Sequence, residues 1–322
     1  MDDTIGTSQH RDQAPHLGTQ SEELDSPLVT DHAASPVFDL VSCSRLTAVV
    51  DVGANPVDAE PPYIRMFRSE LCSVTGFELQ TSALANLQRR QEPHETYLPY
   101  VVGDGSTHRS HIARASGMAS LFPPDAQRLA LVNGPTQGGE VVDEFDVLTH
   151  RLDDIDEIRH IDLLKIDIQG GELMTFTNAQ QKLAEADAIH AEVSFVPLYS
   201  GQPVFGDVDL ELRWEGFLPH SFAAIKRWAH APIVFDGDFR SDANHLREAE
   251  IVYIRDIGRP ESITDCQLSH LASIAFHVYQ SIDLALYCIL ELERRGFSRS
   301  GASELFLSRV GTSSSVNSDS RN

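Results

Sequence analysis

Between residues 47 and 256 the chain repeats one alternation: a short run of β-branched and aliphatic residues, then a stretch with apolar residues at helical spacing. The runs are "TAVVDV" (47–52), "SVTGFE" (73–78), "TYLPYVVG" (96–103), "IDLLKIDI" (161–168), "AIHAEVSF" (188–195), "GFLPHSFAAI" (216–225) and "AEIVYIRD" (249–256). Helices are expected at 59–70, 81–91, 171–184 and 207–215. Strands that alternate with helices pair in parallel and are covered on both faces, which is why their runs are nearly all apolar. The fold class is therefore α/β, a mostly parallel seven-stranded sheet. One connection breaks the pattern: "RWAHAPIVFDGDFRSDANHLRE" (227–248) has no helical period. A parallel crossover normally needs a helix, so the last strand should run antiparallel to its neighbour. The stretch 141–155 is expected to add an edge strand and a loop.

Residues 1–40 carry many acids and few apolar side chains, and 310–322 are rich in Ser and Asn. Such segments bury too little surface to offset their ordering entropy and are expected to be disordered tails. They flank a domain at 41–258 and a helical extension at 259–309. The apolar face of that extension would pack on the domain or on a second copy, which makes a homodimer one expectation.

The net charge of −23, from 48 acidic against 25 basic residues, argues against nucleic acid and anionic membranes as partners. Cys43, Cys72, Cys266 and Cys288 are far apart and lack zinc-site spacing, so no metal is expected. They read as reduced thiols of a cytoplasmic protein, and no run of about 18 apolar residues suggests a membrane span.

In an open α/β sheet, ligands bind beyond the carboxyl ends of the strands. Acids stand there repeatedly: Asp51 before Gly53 and Asn55, then Glu78, Asp104, Asp167 and Glu192. Glu78, after the second strand, can accept hydrogen bonds from both hydroxyls of a ribose. A dinucleotide turn starting at Gly53 would need glycine where Asn55 and Asp58 stand. Asp51 and Asp58 would also repel a pyrophosphate, whereas the sulfonium and ammonium of S-adenosylmethionine would be attracted. Asp104 would then accept from the adenine amino group, and Asp167 would lie near the methyl.

The segments "VVDVGAN", "GFE", "RLDDI", "LLKIDIQGGEL" and "AEVSFVPLYSGQPVFGDVDLELRWEGF", in this order over residues 47–256, resemble the FkbM-family methyltransferases. The resemblance implies a Rossmann-like class I fold, S-adenosylmethionine as cofactor, and methylation of a hydroxyl on a small molecule or sugar. Asp51, Gly53 and Asn55 match the first cofactor motif, Glu78 the ribose-binding acid, Asp104 the acid after the third strand, and Asp167 that of the fourth. Two departures stand out. Pro56-Val57 replaces a short residue and a glycine, and Gln169 replaces the first Glu of a D-x-E-G-x-E motif whose second Glu is Glu172.

Methyl transfer to an alcohol needs alignment and a proton acceptor. Asp167 leads as the catalytic candidate, with Glu192 and Glu172 as helpers and His190 and His220 as alternatives. Tyr199, Gln202 and Phe205, in the loop after the fifth strand, are candidates for contact with a small-molecule or carbohydrate acceptor, and 114–125 for closing over the cofactor. The two departures also admit a catalytically inactive methyltransferase-like binding or scaffold protein.

Overall fold

The computed structural model describes residues 37–41, 43–54, 60–79, 81–132, 138–238 and 243–311. Most of both expected tails lies outside these residues, as do Asn55, Pro56 and Val57. Ten strands are described: β1 (Thr47–Val52), β2 (Cys72–Phe77), β3 (Glu95–Leu98), β4 (Val101–Val102), β5 (Thr107–Ala113), β6 (Val141–His150), β7 (Leu163–Ile166), β8 (Ala188–Ser194), β9 (Phe217–Trp228) and β10 (His245–Arg255).

Seven of them form the main sheet in the order β3-β2-β1-β7-β8-β10-β9. The pairs from β3 to β8 are parallel, and β10 runs antiparallel to both β8 and β9. The last strand is thus antiparallel, as the helix-free connection before it requires.

The stretch 96–103 does not form one strand. Pro99, which has no N–H to give to a ladder, separates β3 from β4. β4 instead pairs with β6 in a second sheet, of order β4-β6-β5. The strand in 141–155 is therefore the middle of that small sheet, not an edge of the main one. The helix expected at 171–184 is two helices, Glu172–Thr177 and Gln180–Glu185. The Asn178 amide donates to Met174 O (2.9 Å) at the break, and the Asp153 carboxylate accepts from the N–H groups of Gln181 and Lys182 to restart the chain.

The period of two along each strand sorts the main sheet into two faces. Val50, Val52, Leu164, Ile166, Ile189 and Ala191 face the helices of residues 172–214. Val49, Leu163, Ala188, Val252 and Ile254 face the other way, into a core with the three C-terminal helices Asp265–His277, Ile282–Arg294 and Ala302–Val310. Leu268, Leu271, Ile274, Ile289, Leu292 and Phe306 are fully buried there, so the apolar face of the extension is spent on its own domain. Val37, Leu40 and Val41 join the same core. The C-terminal helices pack on the half of that face where the parallel strands begin. Further along, the same parity carries Asp51, Lys165, Asp167, His190, Glu192, Glu248 and Glu250.

Candidate functional site

The register places Asp51 opposite Lys165, Lys165 opposite His190, Glu192 opposite Glu250, and Glu248 opposite Lys226. A polar seam thus crosses the sheet near the carboxyl ends of β1, β7 and β8, where ligands bind in such folds.

At one end of the seam Asp51 is buried. It accepts from the Tyr63 hydroxyl at 2.7 Å, and the Lys165 ammonium lies 3.1 Å from its other oxygen. Lys165 also donates to Gly53 O at 3.1 Å. Burial disfavours the ammonium, but Asp51, Asp167 and Glu192 outweigh that and hold its pKa above the ordinary value. Asp51 therefore anchors the start of the loop after β1 through Lys165. Gly53, at φ +88°, turns the loop against the residues after β7. Glu78 is buried just beyond β2, and its N–H donates to Leu98 O at 3.3 Å.

Asp104 follows β4 rather than a third strand of the main sheet. Its Oδ1 meets His108 Nε2 at 2.8 Å and accepts from Ser106 N–H (2.8 Å) and the Thr149 hydroxyl (3.2 Å). Burial pushes its pKa up, but these hydrogen bonds prevail and hold it below the ordinary value.

The centre of the seam is the turn after β7. The Gln169 amide nitrogen donates to Asp167 Oδ1 at 3.0 Å and to Glu192 Oε2 at 2.9 Å. Glu192 also accepts from the Lys226 ammonium at 2.6 Å, and Lys226 lies 3.4 Å from Glu248, which Arg247 pairs at 3.0 Å. Burial, then Asp167 and Glu248, raise the Glu192 pKa well above its ordinary value against the pull of Lys226. A carboxyl group so placed holds a proton more readily than an exposed one. Beside it, His190 Nε2 lies 3.1 Å from Glu250 Oε2, and His190 Nδ1 lies 3.3 Å from the Tyr279 hydroxyl. His220, on β9, meets the Ser281 hydroxyl instead.

Glu172 faces the turn from below. Its Oε1 accepts from the N–H groups of Ile168 (2.9 Å) and Gly170 (3.3 Å), so it shapes the turn. Burial raises its pKa from 4.5 to about 7. The folded value lies above the unfolded one, so the protein should lose stability as pH rises from about 4.5 through about 7. At roughly 1.4 kcal/mol per pKa unit the loss reaches about 3 kcal/mol. Glu172→Gln keeps the acceptor oxygen and should flatten this slope in urea unfolding measured from pH 5 to 8.

The loop after β8 is held from within. Gln202 Oε1 accepts from Leu198 N–H (2.7 Å) and Tyr199 N–H (3.2 Å), and its amide donates to the Ser194 hydroxyl (2.9 Å). The buried Tyr199 hydroxyl lies 3.1 Å from Gln169 Oε1 and 3.2 Å from Met118 O. Phe205 packs on Phe195, with ring centres 5.4 Å apart, against the core of the opposite face. The segment 114–125 lies over the turn: the Ser120 hydroxyl donates to Gln169 O at 2.7 Å, and Met118 and Phe122 pack with Leu198 and Tyr199.

The structure thus brings Asp167, Glu192, Glu172 and Tyr199 around Gln169, with Asp51 next along the seam, while Asp104 and Phe205 have other partners. Lys165, Lys226 and Tyr63 had no role in the sequence reading. Lys165 shares the strand parity of Asp167, a signal that was present. Among the described residues no group of three or more His, Cys, Asp or Glu is placed to hold a metal ion, and no helix is long and apolar enough to cross a membrane.

No curated protein matches the chain. Solved structures resemble it weakly. Precorrin-6y C5,15-methyltransferase of Geobacter metallireducens is 10% identical over 68% of this chain and 88% of its own, with a TM-score of 0.31. The 23S rRNA methyltransferase ErmE is 10% identical over 86% and 97%, also at 0.31. LepI in complex with SAM is 10% identical over 66% of this chain and 44% of its own, at 0.30. The sequence match is decisive: the model of the methyltransferase FkbM domain spans residues 51–219, more than half of the chain and every element of the seam up to the start of β9. The chain belongs to the FkbM methyltransferase family.

Proposed function

We propose that the protein transfers a methyl group from S-adenosylmethionine to a hydroxyl of a small molecule or carbohydrate. S-adenosylmethionine is the methyl donor of the family. The observation that carries the hydroxyl acceptor is the Asp167–Glu192 pair, held by one amide beside Lys226 at the ends of the two central strands. An alcohol must lose a proton as its oxygen attacks the methyl carbon and the sulfonium leaves as a thioether. A carboxyl group with a raised pKa, next to an ammonium that stabilises its charged form, suits that task. Lys165 and Asp51 hold the adjoining loop, and in this reading Glu78 is the acid that would receive the ribose. The charge of −23 supports a neutral or cationic acceptor over nucleic acid.

Calorimetric titration with S-adenosylmethionine and S-adenosylhomocysteine, with NADH as control, tests the cofactor half. Wild type should bind both sulfur ligands with micromolar affinity and NADH not at all. Glu78→Ala should weaken both roughly thirtyfold, the loss of hydrogen bonds to a charged group. Absence of binding by the folded wild type would sink the reading in favour of a binding or scaffold role. The acceptor half calls for a panel of hydroxylated compounds and radiolabelled methyl donor. Product methylated only on nitrogen or carbon would overturn O-methylation.

A further inference from the structure

Gln169 stands where the family motif carries a glutamate, and the structure gives the amide a task a carboxylate would not do. Both of its amide hydrogens are used, on Asp167 and on Glu192, and its Oε1 faces the Tyr199 hydroxyl. The orientation follows from the partners, because the flipped amide would turn its oxygen onto two carboxylates. Its backbone is left-handed, at φ +55°, and its carbonyl accepts from Ser120. Four parts of the chain therefore converge on one residue: the end of β7, β8, the loop after β8, and the covering segment 114–125.

We propose that Gln169 is a positioning residue for methyl transfer, clamping the Asp167 and Glu192 carboxylates as one unit and tying them through Tyr199 to the segment above. The proposal rests on the methyltransferase reading and deepens it. A glutamate here would place three carboxylates within hydrogen-bond distance. Such a cluster holds together only with an added proton, since like charges this close cannot all ionise. The amide supplies the same two contacts without titrating.

The charged groups around position 169 set what a test can read. β1 brings Asp51; β7 and its turn bring Lys165 and Asp167; the following helix brings Glu172. β8 brings His190 and Glu192, β9 brings Lys226, and β10 brings Arg247, Glu248 and Glu250. The loop after β8 brings the Tyr199 phenol.

The test compares wild type, Gln169→Glu and Gln169→Leu by calorimetry with S-adenosylmethionine and S-adenosylhomocysteine from pH 5.5 to 8.5, with melting curves at each pH. The two ligands differ by the sulfonium charge and its methyl, so their affinity ratio reports the charge beneath the methyl. At pH 5.5 the introduced carboxyl is protonated and can donate to one of the two carboxylates where the amide donates to both, so Gln169→Glu should come closest to wild type in ratio and melting temperature there. As pH rises and the third carboxylate ionises, its ratio should shift roughly five- to tenfold towards S-adenosylmethionine relative to wild type. Gln169→Leu should depart from wild type in ratio at every pH. Equal weakening of both ligands at all pH values, or a Gln169→Glu profile that follows wild type throughout, would overturn the proposal. Failure of wild type to bind either ligand would overturn the methyltransferase reading first, and this one with it.

Discussion

Adding one methyl group at Gly53 should cost about 3 kcal/mol or more and abolish cofactor binding. Two causes act together. At φ +88° an L-residue meets a steric penalty of about 1–2 kcal/mol that glycine escapes. A Cβ built there would also lie 2.2 Å from the carbonyl oxygen of Asp167, a backbone atom that cannot swing aside. The loop after β1 and the turn after β7 would have to separate. Asp167 N–H, which donates to Val52 O at 3.1 Å, and Lys165, which donates to Gly53 O, would both lose their geometry. Gly53→Ala should therefore lower the urea midpoint and show no heat with S-adenosylmethionine where wild type binds. A control at Gly206, exposed in the helix Phe205–Trp214 where a Cβ meets nothing within 4 Å, should neither lower the midpoint nor remove the heat.

The second large effect lies at the opposite end of the sheet and is stabilising. Asp187, between the helix Gln180–Glu185 and β8, is fully buried, and neither carboxylate oxygen has a hydrogen-bond partner among the described residues. Burial, reinforced by Asp162, raises its pKa well above the ordinary value; Arg255 opposes this, but its guanidinium is committed to the carbonyls of Leu183, Ala186 and Glu215. The raised folded value means that Asp187 favours the native state only while protonated. Its contribution is complete below the unfolded pKa near 4 and declines as pH rises, by about 1.4 kcal/mol per unit until the folded pKa is reached. Asp187→Asn removes that decline. The variant should match wild type near pH 4 and become steadily more stable than wild type as pH rises towards 7, read from unfolding curves across the range. Equal stabilities at both pH values would show that Asp187 ionises in the fold without penalty.

How far the sequence spoke depended on which forces set each feature. The main sheet was legible because strands covered on both faces must be apolar throughout, and the antiparallel β10 because no helix precedes it. Asp51, Asp167 and Glu192 could be found because a period of two carries a strand's parity to its end. Asp104 could not be placed, since Pro99 alone decides that the chain leaves the main sheet before reaching it. Lys226 was hidden because the β9–β10 pairing shifts register at three places, so its partnership with Glu192 and Glu248 is a tertiary fact. Gln169 was seen as a departure from a motif; its left-handed backbone and four-way contacts arise only when distant segments meet. The C-terminal helices were read correctly as apolar, but periodicity does not say which surface an apolar stripe will cover.

That surface has a further consequence. One face of the sheet is divided between a dry half, roofed by the helix Asp265–His277, and a charged half that holds the seam. Their border is the end of the helix, where Tyr279 reaches His190. Under the proposed function, the headroom for an acceptor is therefore a matter of length. One more turn of helix would advance the roof by about 5.4 Å, over the carboxylates. Under the proposed function, acceptor size would thus change through a segment outside residues 51–219, leaving the chemistry of transfer as it was.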